Sequence, residues 1–160
     1  VDEEDIRRIA DAGAAVAHCP VANARLGHGV APVVKLRAAG VVVGLGTDSV
    51  GSNNRLDLLE EARVASILQR GVARRPDVLP GEELLRLCTV DGAKALGLAD
   101  RVGTLDPGMD ADLCAVSLEG VSVAPTFDPH AALFHAARSV DVVEAVLSSV
   151  RSQRWTEVPG

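Results

Sequence analysis

The sequence predicts an α/β protein built on parallel strands and followed by a smaller β-rich region. Three observations predict it. Helical and apolar runs alternate as helix, strand, helix, strand, helix through about residue 69, the rhythm of a βαβ array. The run Val41-Val-Val-Gly-Leu45 is continuously apolar rather than alternating, as a parallel strand covered on both faces requires. From Gly103 onward, turn residues and short apolar runs replace helical periodicity. The chain therefore divides into residues 1–100, two βα units with trailing helices, and residues 101–160, a small β-rich part.

Each element has a local reason. Residues 2–12 are predicted helical: Asp2 can cap, Asp5 sits in the first turn, Ile6, Ile9 and Ala10 form an apolar stripe, and Gly13 stops the helix. Ala14–Ala17 is a short buried strand ending at His18-Cys19-Pro20, and residues Asn23 to Gly29 form a polar loop. Pro32 opens a second helix, where proline is tolerated, running to Gly40. The strand Val41–Leu45 follows and delivers Asp48 to its C-terminal end, where small polar residues open a loop. Asn53 or Asn54 is expected to cap a long helix to about Gln69, with Leu56, Leu59, Val64, Ile67 and Leu68 inward and Glu60, Glu61 and Arg63 outward; Gly71 ends it. After a linker, short helices are expected at Glu82–Leu87 and Val90–Leu96, the second capped by Thr89 and stopped by Gly97. Asp106-Pro107-Gly108 has Pro and Gly where a type II turn wants them. Strands are expected at Ala111–Leu118, Val121–Ala124 and within Val142–Arg151.

Composition narrows the classes. With 48% hydrophobic and 24% charged residues the 160-residue chain is globular rather than disordered. Its aromatics are only Phe127, Phe134 and Trp155, so Val, Leu, Ile and Ala must build the core. A net charge of −6 argues against nucleic acid as a partner, because phosphate binding needs a basic face. Arg74-Arg75 is a solvated pair, too short for a basic motif. Cys19, Cys88 and Cys114 are odd in number and widely spaced, which predicts free thiols in a reducing cytoplasm. No apolar run approaches the ~18 residues of a membrane span.

Three segments carry a family resemblance: His18-Cys-Pro-Val-Ala-Asn23 with Leu26-Gly27 and Ala31-Pro32; Gly44-Leu-Gly-Thr-Asp-Ser49 with Ser52-Asn-Asn54; and Gly103-Thr-Leu-Asp-Pro-Gly-Met-Asp-Ala-Asp-Leu113. Together, in this order, they resemble the amidohydrolase superfamily, in its branch of nucleoside and heterocycle deaminases and chlorohydrolases. The resemblance runs from Val1 to about Val150. It implies a (β/α)8 metal-dependent hydrolase barrel, of which residues 1–100 hold the last two βα units. It also implies a small β-sandwich-like composite domain, of which residues 101–160 are the C-terminal share. Asp48 resembles the family's metal-ligating Asp after the eighth strand, which also accepts a proton from the metal-bound water. His18 and Asn23 resemble pocket-lining positions after the seventh strand. Where the family's loop more often has Pro-x-Ser-Asn, Ala22 takes the Ser position.

The implied cofactor is a divalent metal, zinc first, with iron or another divalent ion as alternatives. The implied partner is a small heterocyclic substrate, with a homo-oligomer in the intact enzyme and neither nucleic acid nor membrane as partner. The family's other ligands, a His-x-His pair and a later His, are not in this sequence, and the chain starts at Val1. It is therefore expected to be the C-terminal part of a larger enzyme and to be inactive alone. The expected reaction is hydrolytic deamination of a purine-like or other N-heterocycle. A bound metal lowers the pKa of water from ~15.7 to ~7, and a rigid carboxylate beside it can take the proton.

Competing accounts stand beside these. Ring C–Cl hydrolysis uses the same machinery, and a non-catalytic remnant or structural subunit would need none of it. Asp48 has a plain account as a turn carboxylate, and His18 as a strand-end histidine without chemistry. His28 is expected on a loop, facing solvent or at the substrate rim, Asn53 and Asn54 as helix caps, His130 and His135 in the β-rich part or its interface, and Asp112 bonded to backbone near its turn.

Overall fold

The computed structural model describes residues 1–118 and 123–136. Helix α1 (Glu3–Asp11) begins in a capping box. The Asp2 carboxylate accepts from the amides of Glu4 and Asp5, both at 2.9 Å, and Asp5 accepts from the Asp2 amide at 3.1 Å. Strand β1 (Val16–His18) follows, then α2 (Pro20–Arg25), α3 (Val33–Ala38) and strand β2 (Val43–Leu45). The two strands pair in parallel, with Val16 opposite Val43 and His18 opposite Leu45. Bonds from Val16 N to the Val42 carbonyl (2.9 Å) and from Gly46 N to the His18 carbonyl (3.0 Å) bracket the ladder. A parallel pair needs a crossover of a dozen or more residues, and residues 19–42 supply it.

Beyond β2 lie α4 (Val50–Asn53), α5 (Leu58–Ala73), α6 (Gly81–Cys88), α7 (Val90–Ala95) and α8 (Pro129–His135). The buried core joins Ile6, Val33 and Leu36 on the early helices to Val41 and Val43, then to Ala62, Ala65, Leu84, Leu87 and Phe134. Leu84 and Leu87 are fully buried, each worth about 1.5–3 kcal/mol of transfer free energy. Helix α7 lies directly on β2. A Cβ at Gly44 would sit 2.9 Å from the Gly92 Cα, so this approach requires glycine.

Several expectations are corrected. Residues 23–25, expected within the Asn23–Gly29 loop, are helical instead: α2 starts at Pro20, which occupies the first helical position with its φ already set. Neither Asn53 nor Asn54 caps the long helix. Ser49 caps the short α4, Asn54 ends it in the left-handed region (φ 67°), and the Asp57 carboxylate caps α5 through the Glu60 amide at 3.0 Å. Helix α5 runs past Gly71 to Ala73 and ends on Arg74 at φ 53°. Its inner face is Glu61, Ala62, Ala65, Ser66 and Gln69, while Leu56 and Ile67 are exposed. Of the residues expected inward, Leu59 does pack against the core and Val64 and Leu68 are half-buried. Thr89 stands at the N-cap of α7 as expected, but its side chain makes no capping bond; its hydroxyl donates back to the Leu85 carbonyl at 2.7 Å.

The turn at Asp106 forms as expected, with Met109 N donating to the Asp106 carbonyl at 3.2 Å and Gly108 at φ 95°. Residues 111–118 are not strand, and among the described residues the sheet has two strands only. A strand exists by pairing, and no described segment pairs with this one. The strand expected at 121–124 is described only at Val123 and Ala124, which are not strand; that within 142–151 lies outside the described residues. His130 and His135 stand on α8, which packs on α5 and α6. Gly81 makes the α6–α8 approach possible: a Cβ there would lie 2.6 Å from the His130 carbonyl carbon. No helix among the described residues is long and apolar enough to cross a membrane.

Candidate active site

Asp48 lies three residues beyond Leu45, where β2 ends, and is exposed. Its φ of 58° places it in the left-handed region, which Asp enters more readily than most residues. The turn into α4 then brings Ser52 back to it. The Ser52 hydroxyl lies 2.7 Å from Asp48 Oδ2, 3.0 Å from the Ser49 carbonyl and 3.2 Å from Ser49 Oγ. One hydroxyl has one proton, and the shortest contact to the charged acceptor is the strongest claim on it. That bond, with a second from the Ser49 amide, holds the Asp48 carboxyl below the usual carboxylate range. Asp48 is therefore an ionised, exposed carboxylate on a fixed turn.

His18 ends β1 on the same end of the sheet, but it is buried, only 2% exposed. Neither ring nitrogen finds a hydrogen-bond partner among the described residues. Burial pushes the imidazole down to about 4, so it is neutral at pH 7. A buried polar atom left unpaired costs about 1–3 kcal/mol, so this strand end holds an unsatisfied group. Asn23 is half-buried on α2; its amide donates to the Cys19 carbonyl (3.0 Å), and its own carbonyl accepts from the His28 amide (2.9 Å). His28 is exposed on the loop beyond. Cys19 lies against the same turn and bonds the Asp48 backbone; burial is the larger influence and raises its thiol. All three cysteines are free.

Beneath these loops sits a buried polar cluster that apolar periodicity did not reveal. Glu61, expected outward on α5, is 1% exposed. Its Oε2 accepts from the Val21 amide at 3.0 Å, in the first turn of α2, and its Oε1 accepts from Asn53 Nδ2. The same Asn53 nitrogen donates to the Thr47 carbonyl at 2.6 Å. Burial raises the Glu61 carboxyl, and the two donors oppose it. Farther along α5, Gln69 Nε2 donates to the Ala31 carbonyl at 2.7 Å. The available signal was the spacing 61, 62, 65, 66, 69, one helical stripe of small and polar residues.

The donor set suits one corner of a metal centre. Asp48 offers a hard, ionised oxygen at a strand end, a type of ligand that zinc and other divalent ions accept. The corner is not a complete site, for no cluster of three or more His, Cys, Asp or Glu among the described residues can hold an ion.

Comparisons with known proteins fit this geometry. The pattern of the amidohydrolase family matches residues 1–150. The chain is 46% identical over 148 residues to a 5-methylthioadenosine/S-adenosylhomocysteine deaminase of Pelotomaculum thermopropionicum, covering 92% of this chain and 34% of that protein. An adenosine deaminase from Xanthomonas campestris, solved with bound zinc, superposes with a TM-score of 0.81 at 38% identity, covering 86% of this chain and 31% of that one. An atrazine chlorohydrolase from Arthrobacter aurescens, complexed with zinc, gives a TM-score of 0.80 at 34% identity, over 87% and 31% of the two chains. The chain thus spans about a third of the length of the relatives it matches. Because the family's pattern runs through nearly all of the sequence and takes in both strand ends, the chain belongs to the amidohydrolase family.

Proposed function

We propose that this chain supplies the Asp48 corner of a metal-dependent site that hydrolytically deaminates a purine-like or other nitrogen heterocycle. The observation that carries the reading is Asp48 itself, an exposed and ionised carboxylate on a fixed turn at the strand end. The likeness to proteins named as 5-methylthioadenosine/S-adenosylhomocysteine and adenosine deaminases supports the substrate class. In this proposal the sheet is part of a (β/α)8 barrel, residues 1–100 being its last two βα units. Residues 101–160 contribute to a small β-rich domain, and ligands beyond these 160 residues complete the site.

Asp48 would be the chain's ligand to a divalent ion, zinc being the ion present in the two solved relatives. When bound, such an ion lowers the pKa of water to ~7. The Asp48 carboxylate accepts a proton at an oxygen, and Ser52 holds its other side so that the acceptor stays aimed. His18 and Asn23 line the pocket wall. His18, neutral and desolvated, presents no positive charge there to compete for the carboxylate.

A second reading, hydrolysis of a ring C–Cl bond, draws support from the similarity to the atrazine chlorohydrolase. One experiment separates the two. The natural gene product, loaded with Zn²⁺, is given methylthioadenosine or a chlorotriazine, and ammonia and chloride release are followed. Ammonia from the nucleoside is expected. Chloride release with no ammonia would replace the first reading by the second, and neither product would sink both.

A further inference from the structure

We propose that Glu61, acting through Asn53, is a positioning residue for Asp48, an inference that rests on the metal-ligand role proposed above. Glu61 is an ionisable group on the inner face of α5, 1% exposed, with no ion-pair partner among the described residues. Ala62, Ala65 and Ser66 already fill that face, and an apolar residue of similar size would pack there without the burden of a buried charge. What the carboxylate adds is two acceptor oxygens at a fixed separation.

Each oxygen has one task. Oε2 takes the Val21 amide and fixes the first turn of α2, directly after the His18-Cys19 end of β1. Oε1 takes Asn53 Nδ2 and so decides which way that amide faces. With one hydrogen spent on Glu61, the same nitrogen spends its other on the Thr47 carbonyl at 2.6 Å. That carbonyl and the Asp48 amide belong to one rigid peptide plane. Holding the plane fixes the axis about which Asp48 turns to its φ of 58°, and with it the direction of the carboxylate. Ser52 then holds the carboxylate from its far side. Glu61 therefore ties the loops after both strands to one helix.

The test uses the natural gene product with three substitutions: Glu61→Gln, Asn53→Ala and Asp48→Asn. Gln offers one acceptor oxygen to two donors, so either the Val21 amide or Asn53 loses its partner. Asn53→Ala leaves the Val21 bond but releases the Thr47 carbonyl and takes the donor from Glu61 Oε1. Zn²⁺ affinity by chelator competition, kcat and KM for methylthioadenosine, and thermal melting are measured for each. The expected result is a folded protein for Glu61→Gln and Asn53→Ala, with Zn²⁺ affinity and kcat each down about 10–100-fold and KM unchanged. Wild-type affinity and kcat in both, beside a disabled Asp48→Asn, would overturn this inference alone. Failure of both to fold, or full activity regained on cooling, would also overturn it by making the pair structural. Wild-type affinity and turnover in Asp48→Asn would overturn the role of Asp48 as well.

Discussion

The two strands end side by side, His18 opposite Leu45 and Asp48 three residues beyond, yet the groups they carry differ in their whole environment. Both have depressed pKa values, from opposite causes. At Asp48, hydrogen bonds from Ser52 and the Ser49 amide stabilise the charged form. At His18, burial removes water from around the charged form. The acid is thus held ionised and the base held neutral near pH 7. One sheet end offers a charge that can meet an ion and a polar group that does not repel one.

The largest effect is expected from breaking the ionised side. In the natural gene product Asp48→Asn keeps the shape and removes the charge. Both Zn²⁺ affinity and kcat should fall more than about 100-fold, beyond the range of a residue acting only through a ligand. Equilibrium dialysis with Zn²⁺ and steady-state assays measure this; a loss of less than tenfold would return Asp48 to the plain turn carboxylate.

The neutral side makes a pH prediction. In the unfolded chain His18 takes a proton below about 6.5. In the folded protein it does so only near 4. Above pH 6.5 both states are neutral and stability is fully present. As pH falls from 6.5 to about 4 the unfolded state binds the extra proton, and stability drops by about 3 kcal/mol in total. Urea midpoints across that window should show the drop in the wild type and a smaller one in His18→Leu. Parallel curves for the two proteins would mean that His18 is not the group being titrated.

Asp48 was legible in the sequence because a continuous apolar strand followed by small polar residues has one structural meaning. His18 was placed at its strand end for a similar reason, while its burial was not foreseen. Helix α2 was missed because its second half, Asn23 to Arg25, has a loop's composition, while its start at Pro20 lies earlier, where the φ of proline is already helical. Glu61 was assigned to solvent because its charge was weighed above its place in the helical period. What secures it inside is the Val21 amide, 40 residues away in sequence. Periodicity describes one element at a time, whereas a buried hydrogen bond between elements appears only once the chain has folded. The tail expectations failed to form strands at 111–118 for a related reason, since a strand depends on its neighbour.

A smaller effect should separate the two strands by packing. Gly44→Ala brings a methyl to 2.9 Å from the Gly92 Cα and pushes α7 off β2. The expected cost is about 1–3 kcal/mol, the range for overpacking. Thermal melting measures it, and an unchanged midpoint would mean that α7 shifts freely.

The smallest and most selective effect is expected from Ser52→Ala. It removes the bond that contributes most to the low pKa of Asp48 without touching the Asn53–Glu61 cluster. The folded pKa of Asp48 then rises toward the ordinary carboxylate value. A carboxylate must lose its proton to bind a cation, so Zn²⁺ uptake by the metal-free protein should begin at higher pH in the variant. Near neutral pH, where Asp48 is ionised in both proteins, the difference should narrow to what the lost aim of the carboxylate leaves. If the two uptake curves coincide at acid pH as well, proton competition at Asp48 does not control metal entry. If they differ equally at every pH, Ser52 acts by aiming the carboxylate rather than by setting its acidity.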